Sequence, residues 1–144
     1  MQTLSKILLV IAASVAIFTA IAHIACIPIG AKCYQAQHAP EIVVESAKAG
    51  TWLAPLGTLA VAAIFLIWAA YALSGAAFIR RLPLLTLGNY TIAVLCIARG
   101  LLGIQLWLRH PEAVSTFASV ANWLWFLTGC CFAVGYYGIK KVNR

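Results

Sequence analysis

Four long apolar runs alternate with short polar breaks along the chain. The runs cover residues 7–27, 54–77, 87–108 and 117–139. Each matches the roughly 20 residues of helix that cross a hydrocarbon core about 30 Å thick. The expected fold class is all-α: a polytopic membrane protein whose spans form an up-down-up-down four-transmembrane-helix bundle, with a short helix in the first loop. The breaks decide which spans are neighbours. Ile79-Arg80-Arg81-Leu82-Pro83 is a tight connection, so the second and third spans are expected as antiparallel neighbours. His110-Pro111-Glu112 does the same for the third and fourth. Spans and short loops use almost all of residues 1–144, which read as a single transmembrane domain.

The sizeable break is residues 28–51. Pro40 suits the first position of a helix there, and Gly50 suits its end. Glu41, Glu45 and Lys48 then share one face. Ile42 and Val43 lie on another side, which fits a helix resting on the membrane or capping the bundle. In the first span, Ala12, Ala16 and Ala20 recur every fourth residue and allow close helix approach. That stripe is expected to pack inside the chain rather than between subunits.

Composition supports lipid as the solvent. Of 144 residues, 64% are hydrophobic and 9% charged, against about 25% charged in a soluble domain. The net charge of +7 does not point to nucleic acid, because the cations flank spans instead of forming a face with stacking aromatics. Lys6, Arg80, Arg81, Lys140, Lys141 and Arg144 fall on one side. Lys32, Lys48 and Arg109 fall on the other, together with all three acids, Glu41, Glu45 and Glu112. Lys and Arg accumulate on the cytoplasmic side, so six against three puts both termini in the cytoplasm of a bacterial inner membrane. Trp52, Trp107, Trp123 and Trp125 near the outer ends, and Tyr136 and Tyr137 near the inner end, suit the headgroup zones. Trp68 and Tyr71 sit deeper, as packing residues. His23-Ile24-Ala25-Cys26 has a faint likeness to a lipoprotein cleavage site, but the apolar stretch exceeds a signal core of about 7–15 residues. The first span is therefore expected to be retained.

Three groups of residues carry candidate chemistry. Arg99 stands near the middle of the third span, roughly 13–16 Å from either interface at about 1.5 Å per residue. Its cost in a membrane helix is about 2.5–3.5 kcal/mol or more, so it is expected to face the interior of the bundle with partners. No Asp or Glu lies inside a span. The candidate partners are carbonyls, the hydroxyls of Thr58 or Thr128, Glu41 or Glu45 dipping inward, water, or a bound anion. Arg99 is then either a clamp between helices or, with His23, Glu45 and Thr58, a ligand-binding group. His23 alone reads as a packing histidine. His38 and Glu45 share no recognisable metal-ligand spacing with it, and no second deep histidine exists for a membrane haem. Cys26 and Cys33 flank the start of the first loop and are either a disulfide of the oxidising side or two free thiols. Cys96, Cys130 and Cys131 lie within spans as small apolar side chains.

The layout resembles that of small bacterial inner-membrane proteins. It is similar in architecture alone to the DoxX-like proteins, four-span proteins of comparable size. The DsbB family of thiol oxidases is also a four-helix bundle with both termini inside, and that resemblance implies periplasmic cysteine pairs working with a quinone. Here the first loop has no Cys-x-x-Cys, and there is no second outer pair. Gly50-Thr51-Trp52, Trp68-Ala69-Ala70-Tyr71-Ala72-Leu73-Ser74-Gly75-Ala76 and Arg81-Leu82-Pro83-Leu84-Leu85 resemble recurring stretches of uncharacterised bacterial membrane proteins.

Three functions remain open. The first is a non-enzymatic protein that binds a lipid or small apolar ligand, or serves as an accessory subunit, with Arg99 as a buried polar anchor. The second is a periplasm-facing thiol/quinone redox protein using Cys26 and Cys33. The third is a small anion transporter centred on Arg99. No phosphate loop, hydrolase elbow, catalytic carboxylate pair or zinc motif is present, and no cofactor is required, although quinone or lipid would suit the setting. The expected partners are the lipid bilayer and a second copy or another membrane protein. The topology has a direct check. Reporter fusions after Arg81 and after Arg144 should both read cytoplasmic, and one within residues 35–40 should read external.

Overall fold

The computed structural model describes residues 2–142, and Arg144 of the topology count lies outside them. The described residues are helical with no strand. In chain order the helices are α1 (Gln2–Ile29), α2 (Ala31–Ala36), α3 (Glu41–Ala49), α4 (Leu53–Gly75), α5 (Leu85–Arg109) and α6 (Thr116–Val142). A single 3₁₀ turn, Pro111–Ala113, separates α5 from α6. Helices α1, α4, α5 and α6 are long and apolar enough to cross a membrane. In hydrocarbon a helix satisfies its backbone groups internally, which is why long apolar runs settle into this one shape.

The helix ends have local causes. Helix α1 accommodates Pro28 in its last turn and stops at Gly30, whose φ of 84° is left-handed. Helix α4 stops at Gly75, two residues before the expected boundary at 77. There Ala77 turns left-handed, with φ 62°. Its N–H donates to the Ser74 carbonyl at 3.1 Å, and the next N–H, of Phe78, reaches back to Leu73 at 2.9 Å. This paired closure satisfies the last carbonyls of the helix. The loop helix expected after residue 40 is α3, but Pro40 is its cap, in extended backbone with ψ 143°, and not its first helical residue. Gly50, with φ 67°, ends it in the left-handed conformation. Helix α2 had no sequence signal, since its six residues carry no periodic pattern.

The chain forms two compact units, Ala16–Ile67 and the combination of Met1–Val15 with Trp68–Arg144. In the second of these, α5 and α6 pack antiparallel and very closely. A methyl group added at Gly100 would lie 2.6 Å from the Phe126 backbone nitrogen, and one at Gly129 would lie 2.8 Å from the Ala93 carbonyl oxygen. Neither backbone can yield, so both positions are closed to a side chain. The start of α1 meets the other end of α6: a methyl at Gly135 would touch the Ser5 carbonyl and Leu9 at 3.0 Å. Phe132 and Leu9 are fully buried in this unit. Tyr71, expected as a packing residue, lies against Gly88 and donates to the Pro83 carbonyl at 3.1 Å. Trp68 meets Trp125 edge-on with ring centroids 6.0 Å apart.

In the Ala16–Ile67 unit, Cys26, Tyr34, Val44 and Ala54 form a small core, with Ala31, Cys33, Ala39, Val43 and Ala47 packed on it. Ser46 of α3 ties the next helix down: its hydroxyl accepts the Ala54 N–H at 2.9 Å. Ala12, Ala16 and Ala20 have no exposed surface, so the alanine stripe is spent within the chain.

The α5–α6 contact generates a stability test. Gly129→Ala should lower the unfolding temperature in detergent, by the equivalent of about 1–3 kcal/mol for an overpacked contact. Gly57→Ala, where nothing lies within 4 Å of the added methyl, should be neutral or stabilising by up to about 1 kcal/mol. Equal responses from the two variants would show that α5 and α6 are not in backbone contact.

Candidate functional site

The buried stripe of α5 is Leu85, Asn89, Ile92, Ala93, Cys96, Gly100 and Gly103. At 100° per residue Arg99 falls on the border of that stripe, beside Cys96 and Gly103, and not at its centre. The structure accordingly leaves Arg99 exposed. This corrects the expected buried anchor: a side chain at the rim of a helix interface can reach one neighbour while most of its length stays outside. That neighbour is Asn122 of α6. Arg99 Nη1 donates to Asn122 Oδ1 at 2.7 Å. Asn122 itself is buried, 4% exposed, and Gly103 leaves the room its amide occupies.

The pairing is fixed from both sides. Gly100 and Gly103 bring the α5 backbone onto α6, and the amide carbonyl oxygen then lies at the surface end of a narrow contact. Asn122 accepts one hydrogen bond, whereas a guanidinium carries five N–H donors and one positive charge. The arrangement therefore orients the cation without neutralising it. Thr128, a candidate partner, instead donates to the Leu124 carbonyl at 2.7 Å, one turn back on its own helix. Outward from Arg99, the same side of α5 presents Leu95, Leu102 and Leu106, each at least half exposed.

The other candidate residues have partners of their own. Thr58 lies within hydrogen-bond distance of the Ala54 carbonyl, at 2.7 Å, and of the Tyr34 hydroxyl, at 2.9 Å. Its hydroxyl fastens α2 to α4. Glu45 is exposed and pairs with Lys48 at 2.8 Å, and that hydrogen bond raises the Lys48 ammonium above its ordinary value. His23 is half-buried, with Nδ1 2.8 Å from the Thr19 carbonyl and its ring 5.4 Å from the Phe65 ring. Both contacts suit a packing histidine. Among the described residues no three His, Cys, Asp or Glu side chains converge in metal-binding geometry.

Cys26 and Cys33 are joined by a disulfide, with Cα atoms 5.1 Å apart. Cys26 is fully buried in the core of its unit. The bond closes the turn at Gly30 and holds α2 against the end of α1. Gln37 adds a second tie, donating to the Ala22 carbonyl at 2.9 Å.

Two asparagines escaped the sequence reading. Asn122 carried a signal: folding α5 and α6 back on each other about the turn at residues 110–113 puts position 99 opposite about 122. Asn89 is fully buried. Its amide nitrogen donates to the carbonyls of Leu85 at 3.0 Å and Tyr71 at 3.2 Å, while its oxygen has no partner among the described residues. Nothing in its spacing marked that role.

Comparison with protein-family models, curated proteins and solved structures finds no match to this chain.

The Arg99–Asn122 pair predicts opposite responses to removing its two members. Arg99→Leu should improve insertion of the α5 segment by about 2.5–3.5 kcal/mol, because it removes a charge from mid-membrane. Asn122→Ala should lower the thermal stability of the protein, since it leaves the cation with no acceptor. A double-mutant cycle should give a coupling of about 0.5–3 kcal/mol. Additive effects would mean that the two side chains do not interact.

Proposed function

We propose that this protein is a non-enzymatic accessory subunit of a bacterial inner membrane, and that Arg99 is its polar anchor for a second membrane protein. The observation that carries the reading is an exposed arginine in the middle of a helix long enough to span. At about 1.5 Å per residue, the ten residues from Arg99 to the end of α5 at Arg109 cover about 15 Å. A guanidinium at that depth, facing outward, meets hydrocarbon unless another molecule covers it. Lipid phosphates lie too far away to do so. Asn122 supplies one neutral acceptor and leaves the charge in place. No acid occurs within the spans of this chain, which supports a complementary charge supplied by another chain. A membrane helix with a carboxylate near its centre fits, and the leucines around Arg99 offer it an apolar seat.

The same reading has the four spans alternate across the membrane, up-down-up-down, with both termini in the cytoplasm. Two independent features support that orientation. Cations outnumber those of the other side by six to three. The loop that would then face the periplasm contains the Cys26–Cys33 bond, which persists in an oxidising compartment.

That bond also favours a second reading, a periplasm-facing thiol redox protein. Cys26 is enclosed, however, and exchange requires access of a thiolate to sulfur. The burial of Cys26 and the position of the bond between α1 and α2 support a structural link.

The experiment places a photo-crosslinking side chain at Leu102 in the full-length protein in its native membrane. A protein adduct should form, disappear with Arg99→Leu, and persist in part with Arg99→Lys, which keeps the charge but not the planar fork. Adducts to lipid alone, or a protein adduct indifferent to Arg99→Leu, would sink the proposal. The redox reading has its own measurement. A thiol-specific label should reach Cys26 and Cys33 only after reduction, and the Cys26→Ser variant should retain the crosslink at Leu102.

A further inference from the structure

The end of α4, the start of α5 and the last turns of α6 meet around a cavity of about 380 Å³. Its polar lining is Ser74, Arg81, Thr86, Tyr136 and Lys140, and apolar wall is supplied by Leu85, Ile79 and Ile139. All of these belong to the unit that contains Trp68–Arg144. Because three long apolar helices begin or end there, the cavity sits at the depth where hydrocarbon gives way to headgroups.

Its walls are held by specific bonds. Ser74 Oγ donates to the Arg80 carbonyl at 3.0 Å and accepts the Leu82 N–H at 2.9 Å. Tyr71 secures Pro83. The backbone on both sides of Arg81 is thereby fastened to α4. Opposite, Lys140 is half-buried on α6. Neither cation is in an ion pair among the described residues, and the three acids of the chain lie in α3 and in the turn after α5. Thr86 and Tyr136 are hydrogen-bonded to each other at 2.9 Å. One of these two hydroxyls donates to the other, so the acceptor keeps a proton for a third oxygen. Two positive charges, a spare hydroxyl proton and an apolar wall in one cavity match a phosphate group attached to something apolar.

We propose that this cavity binds a phosphate group, as the headgroup of an anionic phospholipid or as free phosphate. Arg81 and Lys140 supply the charge and the Thr86–Tyr136 pair a neutral donor. A cation beside a membrane surface is worth about 1 kcal/mol, or about fivefold, toward an anionic lipid. The site is independent of Arg99 and does not rest on the accessory-subunit reading.

The test uses the full-length protein in mild detergent and native mass spectrometry, with phosphatidylglycerol, phosphatidylcholine and inorganic phosphate as separate probes. Phosphatidylglycerol should be retained in preference to phosphatidylcholine. The double variant Arg81→Gln/Lys140→Gln should weaken that retention by about 30-fold, from about fivefold per cation. The double variant Arg80→Gln/Lys141→Gln removes the same net charge from adjacent positions outside the cavity lining and should weaken retention clearly less than the first pair does. Thermal unfolding of both variants, compared with the parent, checks that the fold persists. If lipid is the source, inorganic phosphate should not displace it. If free phosphate is the source, inorganic phosphate should displace phosphatidylglycerol and raise the unfolding temperature of the lipid-free protein. Equal losses from the two double variants would overturn the proposal. So would the absence of both a phosphatidylglycerol preference and any effect of inorganic phosphate.

Discussion

In hydrocarbon, a polar group has only other protein groups to bond. That constraint orders the rest of this molecule. It turns the apolar runs into helices, because only a helix satisfies its backbone within one segment. It also removes the usual drive for apolar side chains to leave water, so the contacts between helices rest on close packing. Small residues supply that packing here. Gly100 and Gly129 let the backbones of α5 and α6 touch, and Ala12, Ala16 and Ala20 are buried without remainder. Large apolar side chains such as Phe18 and Leu102 point outward instead, 70% and 66% exposed. The distribution is that of a protein whose solvent is lipid.

The same constraint explains how the polar side chains are used. Most of them work close to home. Thr128 bonds a carbonyl one turn back. Asn89 bonds the carbonyls of Leu85 and Tyr71, and Thr58 fastens Tyr34. At the helix ends, Ser46 caps α4 and Ser74 pins the turn that carries Arg81. The bonds they make all serve the fold. Arg99 differs: Asn122 accepts from one of its five donors, and among the described residues it is in no ion pair. A charge held in place but not neutralised is the feature the protein-packing argument leaves over, and it directs attention to what lies outside the chain.

The two connecting segments richest in charge differ in character. The connection between α4 and α5 is cationic, fastened by side chains, and lines one side of a cavity. Residues 26–54 carry the disulfide, a small core of their own and two of the three acids. The first arrangement suits anionic headgroups, and the second suits a rigid cap that needs no ligand to hold its shape. A bond between buried Cys26 and half-buried Cys33 fits such a segment, since it constrains a turn that hydrophobic burial alone would hold weakly.

The sequence by itself determined the four apolar helices, because length and hydropathy follow directly from the thickness of hydrocarbon. It also determined the loop helix up to Gly50, since Pro, charge spacing and Gly act locally. It marked Arg99 as unusual and brought Cys26 and Cys33 forward as a pair. What it could not decide was which way Arg99 faces. That depends on where the edge of the α5–α6 contact falls, a matter of about 65° around the helix at 100° per residue, set by the glycines that bring the backbones together. Counting back from the turn puts Asn122 level with Arg99, but only the packed hairpin decides that its side chain faces Arg99 and Gly103. The Tyr34–Thr58 bond and the cavity between Arg81 and Lys140 join residues far apart in the chain, and tertiary structure alone brought them together.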